Sequence, residues 1–410
     1  MARSISAGSS TLRLAVSGAG TPFLDGYSTA SAAFVITFLT DMPGWQIGLF
    51  TSLYFVGFST GSIAFGAFAD RFGRRGLFVY SMLAMTAASL LPAVQSEFLP
   101  TFAALLASRL ITGFLLGGDY PVGQALVTEL TPRESQSRSL TFLMYGWYVG
   151  AIFAVLLYVP FSYFGLPWQA FFWIEAAAAL LLFAGRIGVP ESPSWRGEKK
   201  ERSIELRQRK QNEPGLMQSL AGSTGRNFLF CSVFWLCQTI PATVLMLYST
   251  KILTDLIGSG NAFVQVLLLY ACFFAGVLPA AWGTFVRHPK RVLVGTFIAM
   301  GAALLLITVL KGAGTPLITG GAFILFALAY GLQTPLDFVV PNLLFPERLR
   351  ARLVGSLTTI SRIGTMAAAF VFPMLAEHVP VTALFAAGAF ILFFGAFYSY
   401  RYAPADHELR

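Results

Sequence analysis

The chain has 410 residues, of which 56% are hydrophobic and 11% charged, and a formal net charge of +9. So little charge cannot cover a soluble protein of this length, which excludes a water-soluble enzyme or binding domain and points to a protein in lipid. An excess of positive charge could serve nucleic acid, but here it falls in alternate loops, a pattern that orients a membrane protein instead.

Apolar stretches of about 20 residues, each able to cross a hydrocarbon core of about 30 Å as a helix, recur along the whole chain. Twelve spans are expected, at 15–39, 46–69, 77–96, 101–127, 139–161, 168–188, 227–252, 261–285, 292–310, 315–344, 353–376 and 381–402. The predicted fold is all-α, with twelve transmembrane helices in two pseudo-symmetric six-helix bundles at 1–189 and 227–410, joined by a cytoplasmic linker at 190–226. Residues 1–12 are polar, carry Arg3 and lack a small-residue cleavage site, so the first span is expected to stay as an anchor. The basic loops place both termini and the linker in the cytoplasm.

In the first span, Asp25 sits midway in Phe23-Leu24-Asp25-Gly26-Tyr27-Ser28. A charge inside a bilayer costs roughly 2.5–3.5 kcal/mol on insertion scales, which pairing, a wet cavity or proton uptake must offset. Burial favours a neutral carboxyl, so Asp25 is a candidate proton acceptor; the competing reading is a helix-packing hydrogen bond beside Gly26. Between the second and third spans lies Gly66-Ala67-Phe68-Ala69-Asp70-Arg71-Phe72-Gly73-Arg74-Arg75. The fourth span carries Arg109 and Asp119, ten residues apart. That spacing is about 15 Å along a straight helix and about 80° around it, so the two cannot pair with each other. Glu129 and Arg138 follow at the cytoplasmic end, and Glu175 lies near the middle of the sixth span. Ser28, Gln124, Trp147 and Glu175 are candidate cavity residues of the first half.

The linker begins with Pro190-Glu191-Ser192-Pro193-Ser194-Trp195 and continues with a charged run; 203–210 reads as a surface helix or a solvated tether. Beyond it, Gln238 precedes Pro241 in the seventh span, and Gln333, Asp337 and Arg362 are candidate cavity residues of the second half. Asp337 and Arg362 lie at comparable distances from their cytoplasmic span ends, so an ion pair between spans ten and eleven is expected. Gly331, Pro335 and Pro341 can interrupt the tenth helix there. The halves repeat. Laying Trp282 on Gly66 puts Arg287, Lys290 and Arg291 on Arg71, Arg74 and Arg75, and a near-identical shift puts Pro346 on Pro132 and Pro404 on Pro190. Two related membrane halves read as a transporter that holds its substrate between them. Cys231, Cys237 and Cys272 all fall within spans and the three His residues are scattered, so neither a metal site, a disulfide framework nor a cofactor is expected. The sequence offers no nucleophile–base pair or phosphate loop for an enzyme, and a receptor would not need intramembrane charges.

The Gly66–Arg75 segment is similar to the loop signature of the major facilitator superfamily, Gly-x-x-x-Asp-Arg-x-Gly-Arg-Arg. Pro190–Trp195 and Pro341-Asn342-Leu343-Leu344-Phe345-Pro346 resemble segments of its sugar-porter branch, and Gly117-Gly118-Asp119-Tyr120-Pro121 with Glu129 looks like the fourth span of phosphate:proton symporters and bacterial metabolite transporters. The seventh span, Cys237-Gln238-Thr239-Ile240-Pro241, departs from the sugar porters' hydroxyl-binding series, and Ser28 stands where that branch carries an Asp. The resemblance implies alternating access and proton-coupled symport of a small polar or anionic metabolite by a monomer of the bacterial inner membrane. Proton-driven export of a drug, siderophore or related metabolite is the alternative. It also implies that Arg109 partners the first span's carboxylate, with Asp25 and Asp119 as proton sites. Asp70, Arg71, Arg74, Arg75, Glu129 and Arg138 would then form a cytoplasmic latch whose ion pairs bias one conformation.

Overall fold

The computed structural model describes residues 2–39, 42–93, 101–130, 133–190, 220, 222–257, 259–279, 288–310, 316–345 and 347–404. The expected linker therefore lies almost wholly outside the described residues. Among those described there is no strand. The first half contributes α1 (Ala2–Phe38), α2 (Gly44–Phe72), α3 (Arg74–Leu90), α4 (Thr101–Leu130), α5 (Arg133–Phe164) and α6 (Gln169–Arg186). The second contributes α7 (Ser223–Ile257), α8 (Ser259–Val277), α9 (Pro289–Leu310), α10 (Pro316–Gln333), α11 (Leu336–Leu344), α12 (Glu347–Ala376) and α13 (Val381–Tyr402). The expected tenth span is thus two helices. The break falls at Thr334–Pro335, while Pro341 is carried inside α11. Nine stretches of the described residues are long and apolar enough to cross a membrane, and Val266–Val277 and Leu317–Gln333 are shorter apolar helices. Absent from the nine is α1, whose buried face carries Thr21, Asp25, Ser28, Thr29 and Ser31. Its polarity has a use inside the protein.

Exposure is inverted relative to a soluble fold: Ile63, Leu181, Val309, Leu317 and Phe390 are exposed, as residues facing lipid should be. Helix association in lipid cannot draw on hydrophobic burial and relies on close packing. Gly57 and Gly61 of α2 and Gly113 and Gly117 of α4 form two facing small-xxx-small pairs. A Cβ on any of the four would collide with the opposite backbone, at Leu110 O, Phe114 O, Tyr54 O and Phe58 O respectively. Ser62 Oγ adds a hydrogen bond of 2.8 Å to Gly117 O. Gly61→Leu should therefore separate α2 from α4, and its monodisperse fraction in size-exclusion chromatography should fall severalfold while an exposed Ile63→Leu control elutes unchanged.

Equivalent helices pack alike in both halves. In the first, α3 packs on α4 and α6; in the second, α9 packs on α10 and α13. Gly26 and Gly150 bring α1 against α5, and α7 packs on α12; the α2–α4 contact is matched by α8 on α10. The internal repeat read from the loops is a repeat of packing. The two compact units do not divide at the linker alone: residues 1–35 belong with 53–213, and residues 36–52 with 214–410. Within the latter unit, Thr51 Oγ1 meets Tyr248 Oη at 2.9 Å and donates to Ala369 O at 3.0 Å, and Tyr248 Oη donates to the same carbonyl at 2.6 Å. Gly44 N donates to Glu377 Oε1 nearby.

Candidate functional site

The first unit encloses three intramembrane charges that share neighbours. Asp25, 2% exposed, accepts hydrogen bonds from Tyr54 Oη at 2.6 Å, Tyr120 Oη at 3.0 Å and Trp147 Nε1 at 3.1 Å. These donors come from α2, α4 and α5. The glycine beside the carboxylate makes this possible: a Cβ on Gly26 would collide with Trp147 O, so its absence lets α5 approach and lays the indole on Asp25. Every donor to Asp25 is neutral. Three neutral donors from three helices thus converge on this one carboxylate.

Arg109 does not reach Asp25. Its Nη1 donates to Ser28 Oγ at 2.7 Å and to Ser28 O at 3.1 Å, and Nη2 donates to the same carbonyl at 3.1 Å. The resemblance led to a direct pair between Arg109 and the first-span carboxylate, and this is corrected. Ser28 holds the guanidinium, and Asp25 stands one turn away. Tyr54 joins the two: its hydroxyl is on Asp25, and its ring centroid lies 5.6 Å from Arg109 Cζ. Phe172 flanks the guanidinium at 5.9 Å. The carboxylate that acts on Arg109 is Glu175, buried on α6 beside Ser28 and Ser89. Glu175 Oε1 has no hydrogen-bond partner among the described residues.

Asp119, expected as a second proton acceptor, sits in a closed ion pair. Arg186 Nη1 lies 3.0 Å from both carboxylate oxygens, and both side chains are 0% exposed. Ser81 Oγ donates to Oδ1 at 2.6 Å and Thr21 Oγ1 to Oδ2. Arg186 spends its other donors on Ser17 O, Phe78 O and Thr21 Oγ1, with its Cζ 3.7 Å from the Phe78 ring centroid. The pair ties α4 to α6 and, through Thr21, Ser17 and Phe78, to α1 and α3, so it acts as a strut of the bundle. The sequence reading missed Arg186, since an Arg at a cytoplasmic span end reads as a topology signal. The apolar Ile187 and Val189 beyond it were the available clue.

In the second unit, the Gln238 amide Nε2 donates to Asp337 at 2.6 Å and 3.1 Å, and Thr296 Oγ1 donates to Gln333 Oε1 at 3.0 Å. The pair expected between Asp337 and Arg362 is therefore corrected: Gln238 meets the carboxylate, and Asp337 makes no ion pair among the described residues. Arg362 is half-buried on α12. Gln124 is exposed, and Trp147 is half-buried where it meets Asp25. Of the expected latch, the side chains of Asp70, Arg71, Glu129 and Arg138 lie outside the described residues. Arg75 Nη2 donates to Ile187 O at 2.9 Å, and Arg74 is half-buried. No group of His, Cys, Asp and Glu suited to a metal ion occurs among the described residues.

Comparison with known proteins agrees with this architecture. The profile of the family described as Major Facilitator Superfamily matches residues 19–369. YaaU of Escherichia coli (strain K12) is 29% identical over 413 residues, covering 96% of this chain and 91% of its own. The inner membrane metabolite transport protein YgcS of the same organism is 26% identical over 418 residues, covering 97% and 92%. A solved D-xylose–proton symporter superposes with a TM-score of 0.82 at 13% identity, over 97% of this chain and 99% of that one.

Proposed function

The chain belongs to the major facilitator superfamily, and on that premise we propose that it imports a small polar or anionic metabolite together with protons, by alternating access. It is a multi-pass membrane protein that transports small molecules and is not an enzyme. The symport reading rests on one arrangement: the buried series Asp25, Tyr54, Arg109 and Glu175. Glu175 acts on the guanidinium directly, and the Tyr54 phenol stands between the guanidinium and Asp25. A proton taken up by either carboxylate removes negative charge near Arg109, which then attracts an anion or a polar substrate more strongly. Fixed cation and titratable acid together couple a proton to a solute without further machinery.

The loop charges support placing both termini in the cytoplasm, and the name of YgcS supports residence in a bacterial inner membrane. Proteoliposomes carrying the purified protein test the reading. Under an inward proton gradient, one compound among organic acids, phosphate, nucleosides and sugars should accumulate above its outside concentration, and collapse of the gradient should return it to equilibrium. Expulsion of that compound under the same gradient would reverse the assigned direction, and uptake indifferent to the gradient would remove the proton.

A further inference from the structure

The second unit holds a carboxyl that the Asp25 site does not use. Asp337 lies in the first turn of α11, just beyond the break at Thr334–Pro335, and is 3% exposed. The helices packed on α11 are α7, α9 and α12. From α7 come Gln238, at 0% exposure, and Cys231, a titratable thiol within range of the Asp337 charge. From α9 comes Thr296, bonded to Gln333. The charges of that helix are Lys290 and Arg291 at its start, and Lys290 Nζ donates to Ala403 O at 2.8 Å. The charge borne midway along α12 is Arg362, which makes no ion pair with Asp337. An ionised Asp337 would therefore be met by a neutral amide alone, an arrangement that costs several kcal/mol in a bilayer and that a proton relieves.

The amide fits both states of such a carboxyl. With nitrogen forward, Gln238 donates to the two oxygens of a carboxylate; turned through a half-rotation, its oxygen accepts the O–H of the acid at the same spot. A second observation concerns Gln333, four residues before Asp337. It is 0% exposed, and its Nε2 has no acceptor among the described residues. A buried donor without an acceptor is rare in a folded protein and marks the pocket beside the break as polar.

We propose that Asp337 is a second proton-binding site of this protein and that the Gln238 amide turns over as the proton arrives and leaves. The acid donates its O–H to Gln238 Oε1. When the proton departs to water, Oδ1 and Oδ2 accept from Gln238 Nε2. No other bond forms or breaks. The site needs neither substrate nor gradient, so it stands or falls apart from the symport reading.

Infrared spectra of the whole protein in lipid nanodiscs at neutral pH provide the test, through the C=O band of protonated carboxyl groups. The wild type should show a band that Asp337→Asn removes and Asp25→Asn retains. Gln238→Leu should keep the band and shift it upward, since the acid has lost its acceptor. A band unchanged in Asp337→Asn, or unshifted in Gln238→Leu, overturns the proposal. Asn is isosteric with the neutral acid, so the Asp337→Asn melting temperature should equal that of the wild type. If that variant does not fold, the Gln238→Leu shift decides alone.

Discussion

Arg186→Ala should unfold the first unit in detergent under conditions where the wild type is stable. The substitution leaves Asp119 charged and buried, with the hydroxyls of Thr21 and Ser81 as its remaining donors. It also removes the guanidinium donors from the Ser17 and Phe78 carbonyls, the second of which keeps Ser81 Oγ at 3.2 Å. Breaking a buried ion pair by removing one partner costs about 3–5 kcal/mol, because the other charge stays behind uncompensated. Removing both charges costs less, so Asp119→Leu combined with Arg186→Met should regain much of the loss. A thermal scan reads both variants. Melting of Arg186→Ala together with the wild type would show that the pair holds nothing, and a double variant no better than the single would place the loss in the carbonyl bonds.

Asp25→Asn should abolish gradient-driven accumulation while sparing exchange of labelled for unlabelled substrate. Asn keeps the size of the carboxyl; with its oxygen in the place of Asp25 Oδ2 it accepts from Tyr120 and Trp147, while its Nδ2 donates to Tyr54 Oη, so the bundle should fold normally. What it loses is the proton. Accumulation ratios in proteoliposomes should fall at least about tenfold, to the equilibrium value, with exchange kept within a few-fold. Full accumulation by this variant would exclude Asp25 as the obligatory coupling group and pass the role to Glu175, the other carboxylate near Arg109.

The helical architecture was legible because lipid imposes it: long apolar runs and alternating basic loops leave few alternatives. The charged residues of the site were legible for the same reason, since each of Asp25, Arg109, Glu175 and Asp337 interrupts an apolar run at a recognisable cost. Their partners were not. Tyr54 is one aromatic among many in the sequence, and its bridging place between Asp25 and Arg109 depends on the register in which α2 meets α1 and α4. Gln238 carries no charge, so matching depths of opposite charges favoured Arg362 for Asp337, and helix orientation favoured the amide. Arg186 lies near the end of the sixth span, where a cation does not stand out as an intramembrane charge. Facing glycines on α2 and α4 set the close approach of those helices, yet their pairing shows only once the two are brought side by side.

The strut between Asp119 and Arg186 also bears on how the chain is made. Asp119 leaves the ribosome 67 residues before its counterion. At translation rates of about 5–20 residues per second, α4 waits roughly 3–13 s with its acidic group unmatched. During that interval α4 is poorly suited to release into lipid, and the insertion machinery has to shelter it until α6 is delivered. Integration of this half is therefore expected in one batch of helices, not one helix at a time.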